Sequence, residues 1–295
     1  MRYGGDMTAA LLAIDWGTTN RRVHVLDAAG NVLETVCDAM GLMMVPSGDF
    51  AREVAGIRAR HGDVPVLLAG MVGSARGWVN VPYRPCPVGI EDLARSLHWI
   101  EPDRTAIVPG VCDPAGDVMR GEEVQILGAV AGNLVPDHGL LCQPGTHCKW
   151  AHVHGARLVE FATAMTGELF ALLKSHSLLA DFLHGTVADG PSFQAGVRDA
   201  MDGHLTTRLF RVRAAALLGQ RAIEDSAAYT SGLLIGHDVW GQTLGPGQSV
   251  YLLADPQLGA LYASAIRLAG GLPMLIDSQA AFVAGINHIW KASQR

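Results

Sequence analysis

A chain of 295 residues, 49% of them hydrophobic and 17% charged, is long enough to bury two cores and too apolar to stay disordered. Its 22 Lys and Arg stand against 28 Asp and Glu, a net charge of −6, with no basic block longer than two residues. That balance excludes a nucleic-acid footprint built on a basic face, so an anionic ligand must be met by local groups.

Strand-like runs at residues 11–14, 23–26 and 32–37 are joined by a Trp-Gly-Thr-Thr-Asn turn and by DAAGN, a hairpin signal, and predict a three-stranded antiparallel meander. A helix is expected over 50–60, then a strand over 66–69 behind Pro65. A Gly-rich, aromatic loop (GMVGSARGWVNVPYRPCPVG) leads to a helix over 90–99, a strand over 105–108 and a helix beginning near Glu122. The second half repeats the plan. GLLCQPGTHCKWAHVHGARLVEFATAM reads as strand, Gly-Thr turn, strand, Gly turn, strand, and TGELFALLKSHSLL as a helix with Thr166 as its N-cap. Helices fill roughly 190–240, and two strand-helix units close the chain. The order βββαβαβα thus occurs twice, an internal duplication with its boundary in residues 133–139. An N-terminal lobe over 1–137 and a C-terminal lobe over 138–295 are expected.

Five dispersed cysteines (Cys37, Cys86, Cys112, Cys142 and Cys148), with no Cys-x-x-Cys pair, fit reduced thiols better than a disulfide framework. The opening MRYGGDMTAA, in which Met7 could also be the start, has no apolar stretch of signal-peptide length. Other apolar runs fall short of the roughly 18 residues that span a bilayer, so a cytoplasmic protein is expected.

The first turn carries the chemistry. A strand that ends on a lone carboxylate, Asp15, and runs into Gly17, Thr18, Thr19 and Asn20 can offer backbone N–H groups and hydroxyls to phosphate, with Asp15 holding Mg²⁺ through water. An ordinary capped hairpin explains the same letters. The second turn, with Gly145, Thr146, His147 and Lys149, offers similar groups to the same phosphate chain if the two lobes face one another across a cleft, although Lys149 could equally be solvated. Glu122, after Gly121, opens a helix, where it can serve as a general base or simply compensate the helix dipole. Glu123 is the alternative base, and Arg120 could orient either. The His-rich HCKWAHVH places two imidazoles on one strand face, but no second pair stands at zinc spacing.

AIDWGTTN, GMVGSARGWVNVPY, VMRGEEVQILGA, PGTHCKW, FATAMTGELFALLKSHSLL and SGLLIG, in that order along nearly the whole chain, resemble the 2-dehydro-3-deoxygalactonokinase family of the sugar kinase, chaperone and actin superfamily. The resemblance implies an α/β fold of two ribonuclease H-like (actin-like ATPase) lobes around a nucleotide cleft. It also implies ATP- and Mg²⁺-dependent phosphorylation of the 6-hydroxyl of 2-dehydro-3-deoxy-D-galactonate in galactonate catabolism. Catalysis then falls to Asp15 and Glu122, the nucleotide to the two turns, and the keto acid to Val72, Gly73, Ser74, Arg76, Trp78, Tyr83, Arg120 and Glu123. VYLLADPQLGALYASAI would be the adenosine motif, with Ala254-Asp255-Pro256 where a Gly-containing turn is expected. A nonenzymatic, sugar-responsive ATP-binding protein and a phosphohydrolase using Asp15 and Glu122 on water are the alternatives. Galactonate and gluconate stereochemistry is left open, as is oligomeric state, a homodimer included.

Overall fold

The computed structural model describes residues 8–295; the opening MRYGGDM, with Met7, lies outside them. The chain forms two compact units. The first comprises the described residues up to His138, with His152–Phe161 and Ser278–Arg295, and the second comprises Gly139–Ala151 and Ala162–Asp277.

The first unit opens on β1 (Leu11–Trp16), β2 (Arg21–Leu26) and β3 (Val32–Asp38), an antiparallel meander. Asp27 closes its second turn, the carboxylate accepting from the backbone N–H of Gly30 and of Asn31, each at 2.8 Å. Helix α1 (Phe50–His61) turns Phe50, Val54 and Ile57 into the core at i, i+4 and i+7 spacing. Next come β4 (Val66–Gly70), β5 (Arg84–Pro85), α2 (Ile90–Arg95), β6 (His98–Glu101), β7 (Thr105–Ile107), β8 (Val111–Asp113), β9 (Asp117–Met119) and α3 (Glu122–Ala131). The main sheet runs β3-β2-β1-β4-β7-β6, with β1, β4 and β7 parallel and, apart from Asp15 and Thr105, apolar, as suits strands covered on both faces. The helix expected over 90–99 ends early. Residues 98–101 instead pair antiparallel with β7, where Trp99 meets Trp290 edge to face at 6.2 Å. A small sheet, β5-β8-β9, interrupts the simple repeat, β5 coming before α2 and β8 and β9 between β7 and α3.

After α3 come β10 (Gly139–Gln143), β11 (Cys148–His154) and β12 (Arg157–Ala164), of which residues 152–154 and 157–161 are counted with the first unit, and then, in the second, α4 (Thr166–His176), α5 (Pro191–Asp199), α6 (Leu205–Leu217) and α7 (Ile223–Trp240). Then follow β13 (Ser249–Leu253), α8 (Pro256–Leu268) and β14 (Leu272–Ile276). The sheet order is β12-β11-β10-β13-β14, with β10, β13 and β14 parallel. Helix α7 is buried on nearly every side, consistent with its apolar, small-residue sequence.

The last helix, α9 (Ser278–Ser293), was expected in the C-terminal lobe but packs in the first unit. Its reason is a close crossing with α3. A Cβ on Gly128 would lie 2.0 Å from the Ala281 carbonyl oxygen, and one on Gly285 2.1 Å from that of Val124, so only a glycine pair lets the two backbones meet. No helix among the described residues is long and apolar enough to cross a membrane.

Candidate active-site residues

Asp15 lies at the C-terminal end of β1, opposite Arg22 in the β2 register, with an Nη1–Oδ2 distance of 3.5 Å. Its side chain is 20% exposed. Burial pushes the carboxyl above its ordinary range, the Arg22 guanidinium counters that, and the nearby Glu122 charge adds to it. In the turn that follows, Gly17 N–H donates to the Asn20 carbonyl at 2.9 Å, and Thr18, Thr19 and Asn20 are exposed. The carbonyls of Gly17, Thr18 and Thr19 are all taken, by the N–H groups of Leu42, Met43 and Gly41 at 3.0, 3.1 and 3.2 Å. The turn's acceptors are thereby tied back. Its outer side presents hydroxyls and N–H groups, the character an anion requires.

Two glycines bring the start of α3 to the same place. Gly70, ending β4, has φ +94°, and a Cβ there would sit 2.7 Å from the Trp16 carbonyl oxygen and 3.5 Å from Asp15 Oδ1. Gly121 has φ +108°, with its Cβ position 3.1 Å from Gly70 Cα. Both conformations suit glycine, and the close approach sets Glu122 within electrostatic reach of Asp15. Glu122 Oε2 accepts from Arg120 N–H at 3.1 Å, and Glu123 Oε2 from Gly121 N–H at 2.7 Å. These adjacent carboxyls have different surroundings. Glu123 is fully buried and is pushed up to about 8, by burial first and by the Glu122 charge second, so it is largely protonated at neutral pH.

The loop after β4 packs around a buried cation, Arg120, which stands between β9 and α3. Arg120 is 8% exposed, donates from Nη2 to the Val81 carbonyl at 2.7 Å, and lies 4.3 Å over the ring of Tyr83, which is itself 38% exposed. Its Nε and Nη1, together with Ser74 Oγ and Glu123 Oε1, are buried without a hydrogen-bond partner in the protein. Val72 is buried in the core, Gly73 is buried against Arg120, and Trp78 stacks on Phe50 at 6.4 Å, so these three shape the loop from beneath. Arg76 is exposed.

In the second unit, the β10–β11 turn exposes Thr146 and His147, and His147 Nε2 lies 2.5 Å from the Glu168 carboxylate. Lys149 is buried at 4% exposure rather than solvated, with Nζ donating to the His147 carbonyl at 3.3 Å. Thr166 does not cap α4: Met165 stands at the N-cap position. The Thr166 hydroxyl donates instead to Asp238 Oδ2 at 2.9 Å. Asp238, on α7, also accepts from Trp150 Nε1 at 2.8 Å and from the Tyr262 hydroxyl at 2.9 Å. The sequence reading missed this residue, whose signal was a lone carboxylate in the otherwise apolar SGLLIGHDVW. A pocket of about 80 Å³ lies beside the turn, lined by Gly145, Gly167, Phe170 and Tyr262 among others. A neighbouring one of about 280 Å³ reaches Asp255 and Gln257. Asp255 caps α8, its carboxylate accepting from Gln257 and Leu258 N–H at 3.0 and 3.1 Å with Pro256 at the first helical position, which accounts for Asp-Pro where a glycine turn was expected.

Two units of this β-meander and α/β pattern, each with a Gly-Thr turn after its first strand, make the protein an actin-like ATPase in fold. The activator of 2-hydroxyisocaproyl-CoA dehydratase from Clostridium difficile, solved with bound ADPNP, shares that fold at a TM-score of 0.51 and 10% identity, covering 96% of this chain and 95% of its own. Residues 15–289 match the family model described as 2-keto-3-deoxy-galactonokinase, and the chain belongs to that family. It is 35% identical to the 2-dehydro-3-deoxygalactonokinase of Escherichia coli (strain K12) over 291 residues, 96% of this chain and 98% of the relative. A Rhizobium meliloti (strain 1021) protein named for the same activity is 34% identical over 294 residues, 93% of this chain and 94% of that one. A Sinorhizobium meliloti crystal structure, also named for this kinase, superimposes with a TM-score of 0.89 at 32% identity, covering 96% and 98% of the two chains.

Proposed function

We propose that the protein transfers the γ-phosphoryl group of ATP to the 6-hydroxyl of 2-dehydro-3-deoxy-D-galactonate, as a cytoplasmic step of galactonate catabolism. Membership in the kinase family supports the reaction, and the observation that carries the site is the meeting of Glu122 with Asp15 across the Gly70–Gly121 contact. Phosphoryl transfer asks for positioning, charge neutralisation and an acceptor for the attacking hydroxyl's proton. The Gly17, Thr18, Thr19 and Asn20 turn binds nucleotide phosphate through the N–H groups and hydroxyls it leaves facing outward, Gly17 giving its own N–H to the Asn20 carbonyl. Gly145, Thr146, His147 and Lys149 do so in the second unit. A single hard carboxylate at a strand end fits Mg²⁺, which takes few protein ligands and shares its shell with phosphate and water; bound by Asp15, it would neutralise phosphate charge.

Glu122 is the proton acceptor in this reading, because Glu123 already holds a proton at neutral pH. Arg120 receives the substrate carboxylate. Its Nη2 carries two hydrogens and the Val81 carbonyl takes one, so one edge of the fork remains complete for a bidentate bond. Tyr83 and protonated Glu123 border that cation and, with Ser74, meet the keto acid's oxygens, with the exposed Arg76 beside them and Val72, Gly73 and Trp78 holding the loop. Every residue used belongs to one copy of the chain. Release of ADP, measured by a coupled assay with and without a panel of keto-deoxy sugar acids, tests the proposal. Release that depends on 2-dehydro-3-deoxy-D-galactonate supports it, and equal release with water alone would make the protein a phosphohydrolase.

A further inference from the structure

Asp238 stands outside every residue set used so far, yet three elements of the second unit end on its carboxylate. Trp150 reaches it from β11, Thr166 from the start of α4 and Tyr262 from α8, all within 2.8–2.9 Å. The middle contact matters most for the Gly-Thr turn. One residue beyond Thr166, Gly167 lies so close that a Cβ on it would be 2.4 Å from the Gly145 carbonyl oxygen. One residue further, Glu168 N–H donates to the Thr146 carbonyl at 2.9 Å while the Glu168 carboxylate meets His147. The first turn of α4 therefore backs the β10–β11 turn at three successive residues. It ties back an acceptor there, as Leu42 and its neighbours do in the first unit. The Thr166–Asp238 bond ties that helical turn to α7, the Thr166 hydroxyl not being used as the cap of its own helix.

We infer that Asp238 is a positioning residue for nucleotide phosphate, acting through Thr166 and the first turn of α4 to hold Gly145, Thr146 and His147 in register. The inference rests on the reading of that turn as a nucleotide contact. A carboxylate is suited to the task because two oxygens accept from three donors at once, and buried donors left unpaired are costly, so the arrangement has one low-energy geometry. Small displacements of a phosphate cradle are expensive in binding, which is where the device should be felt.

Three variants of the full-length protein separate positioning from plain stability. Thr166→Val keeps the volume and removes one donor; it is expected to raise the KM for ATP by about tenfold, the loss of roughly one well-placed hydrogen bond to a charged group, with the KM for the sugar acid within about twofold. Thr166→Ser keeps the hydroxyl and should restore the wild-type value. Trp150→Phe removes another donor to the same carboxylate and much more packing, so it should lower the melting temperature further than Thr166→Val while moving the KM for ATP less. A KM for ATP that tracks the loss of melting temperature across the series would overturn the inference, as would an unchanged KM in Thr166→Val. Gly145→Ala tests the underlying reading. A Cβ there meets nothing closer than the His147 carbonyl oxygen at 3.9 Å, so the fold accepts it, but a phosphate against that face would not. If Gly145→Ala raises the KM for ATP and Thr166→Val does not, the positioning role alone falls. If neither moves it, the turn is no nucleotide contact and both fall.

Discussion

Glu123→Gln is the substitution that most directly tests how two neighbouring carboxyls come to differ. Glu123 is fully buried, one of its oxygens accepts from Gly121 N–H at 2.7 Å, and the other has no partner. Burial and the Glu122 charge move its carboxyl from the ordinary 4.5 to about 8. Between those values the folded protein binds a proton that the unfolded chain does not. Stability from this group is therefore fully present below about pH 4.5 and is lost as pH rises towards 8, at about 1.4 kcal/mol per pH unit and on the order of 5 kcal/mol in all. Glutamine resembles the protonated acid in shape and cannot ionise, so the variant should lose that slope. It is expected to match the wild type near pH 5 and to exceed it by several kcal/mol at pH 8.5, read as the difference in urea midpoints across that range. Activity at pH 7 should stay within about tenfold, because a neutral hydrogen-bonding group replaces another. Parallel pH profiles for the two proteins, or a variant weaker by a constant amount at every pH, would refute the protonation argument and return Glu123 to the candidates for the base.

Glu122→Gln should lower kcat by about two to four orders of magnitude, the range for loss of a general base, while both KM values stay within a few fold; an ordinary kcat in both Glu122→Gln and Glu123→Gln would remove α3 from the chemistry. Asp15→Asn should fold, lose nearly all turnover and require more Mg²⁺ for what remains, several kcal/mol of barrier being at stake; a wild-type Mg²⁺ titration would sink the assignment. Arg120→Lys keeps the charge and loses the planar fork, so the KM for the sugar acid should rise by about 10- to 100-fold with the KM for ATP unchanged, and equal rises in both would place Arg120 outside the acid's site.

Much of this was legible because strong local signals coincide with the fold. The meander, the Gly-Thr turns, Asp15 at a strand end and Glu122 at a helix start are read from alternation, turn residues and position, and each depends on neighbours a few residues away. What escaped depends on distant partners. Residues 98–101 form a strand because β7 offers an edge and Trp290 a ring, neither of which their own spacing reveals. Helix α9 joins the first unit through a pair of glycines 157 positions apart in Gly128 and Gly285, whose common face appears only on folding. Thr166 looked like a cap because the local pattern suits one, and Asp238, which takes its hydroxyl, lies 72 residues away. The turns themselves show why residue type is only half of a phosphate site. Gly17, Thr18 and Thr19 carry as many acceptors as donors, and it is residues 41–43, tying up the three carbonyls, that leave a surface of donors. Thr146 in the second unit has its carbonyl tied by Glu168 in the same sense. A Gly-Thr turn without such backing would present mixed polarity and hold an anion poorly, so the segments that back each turn belong to the site as much as the motif does.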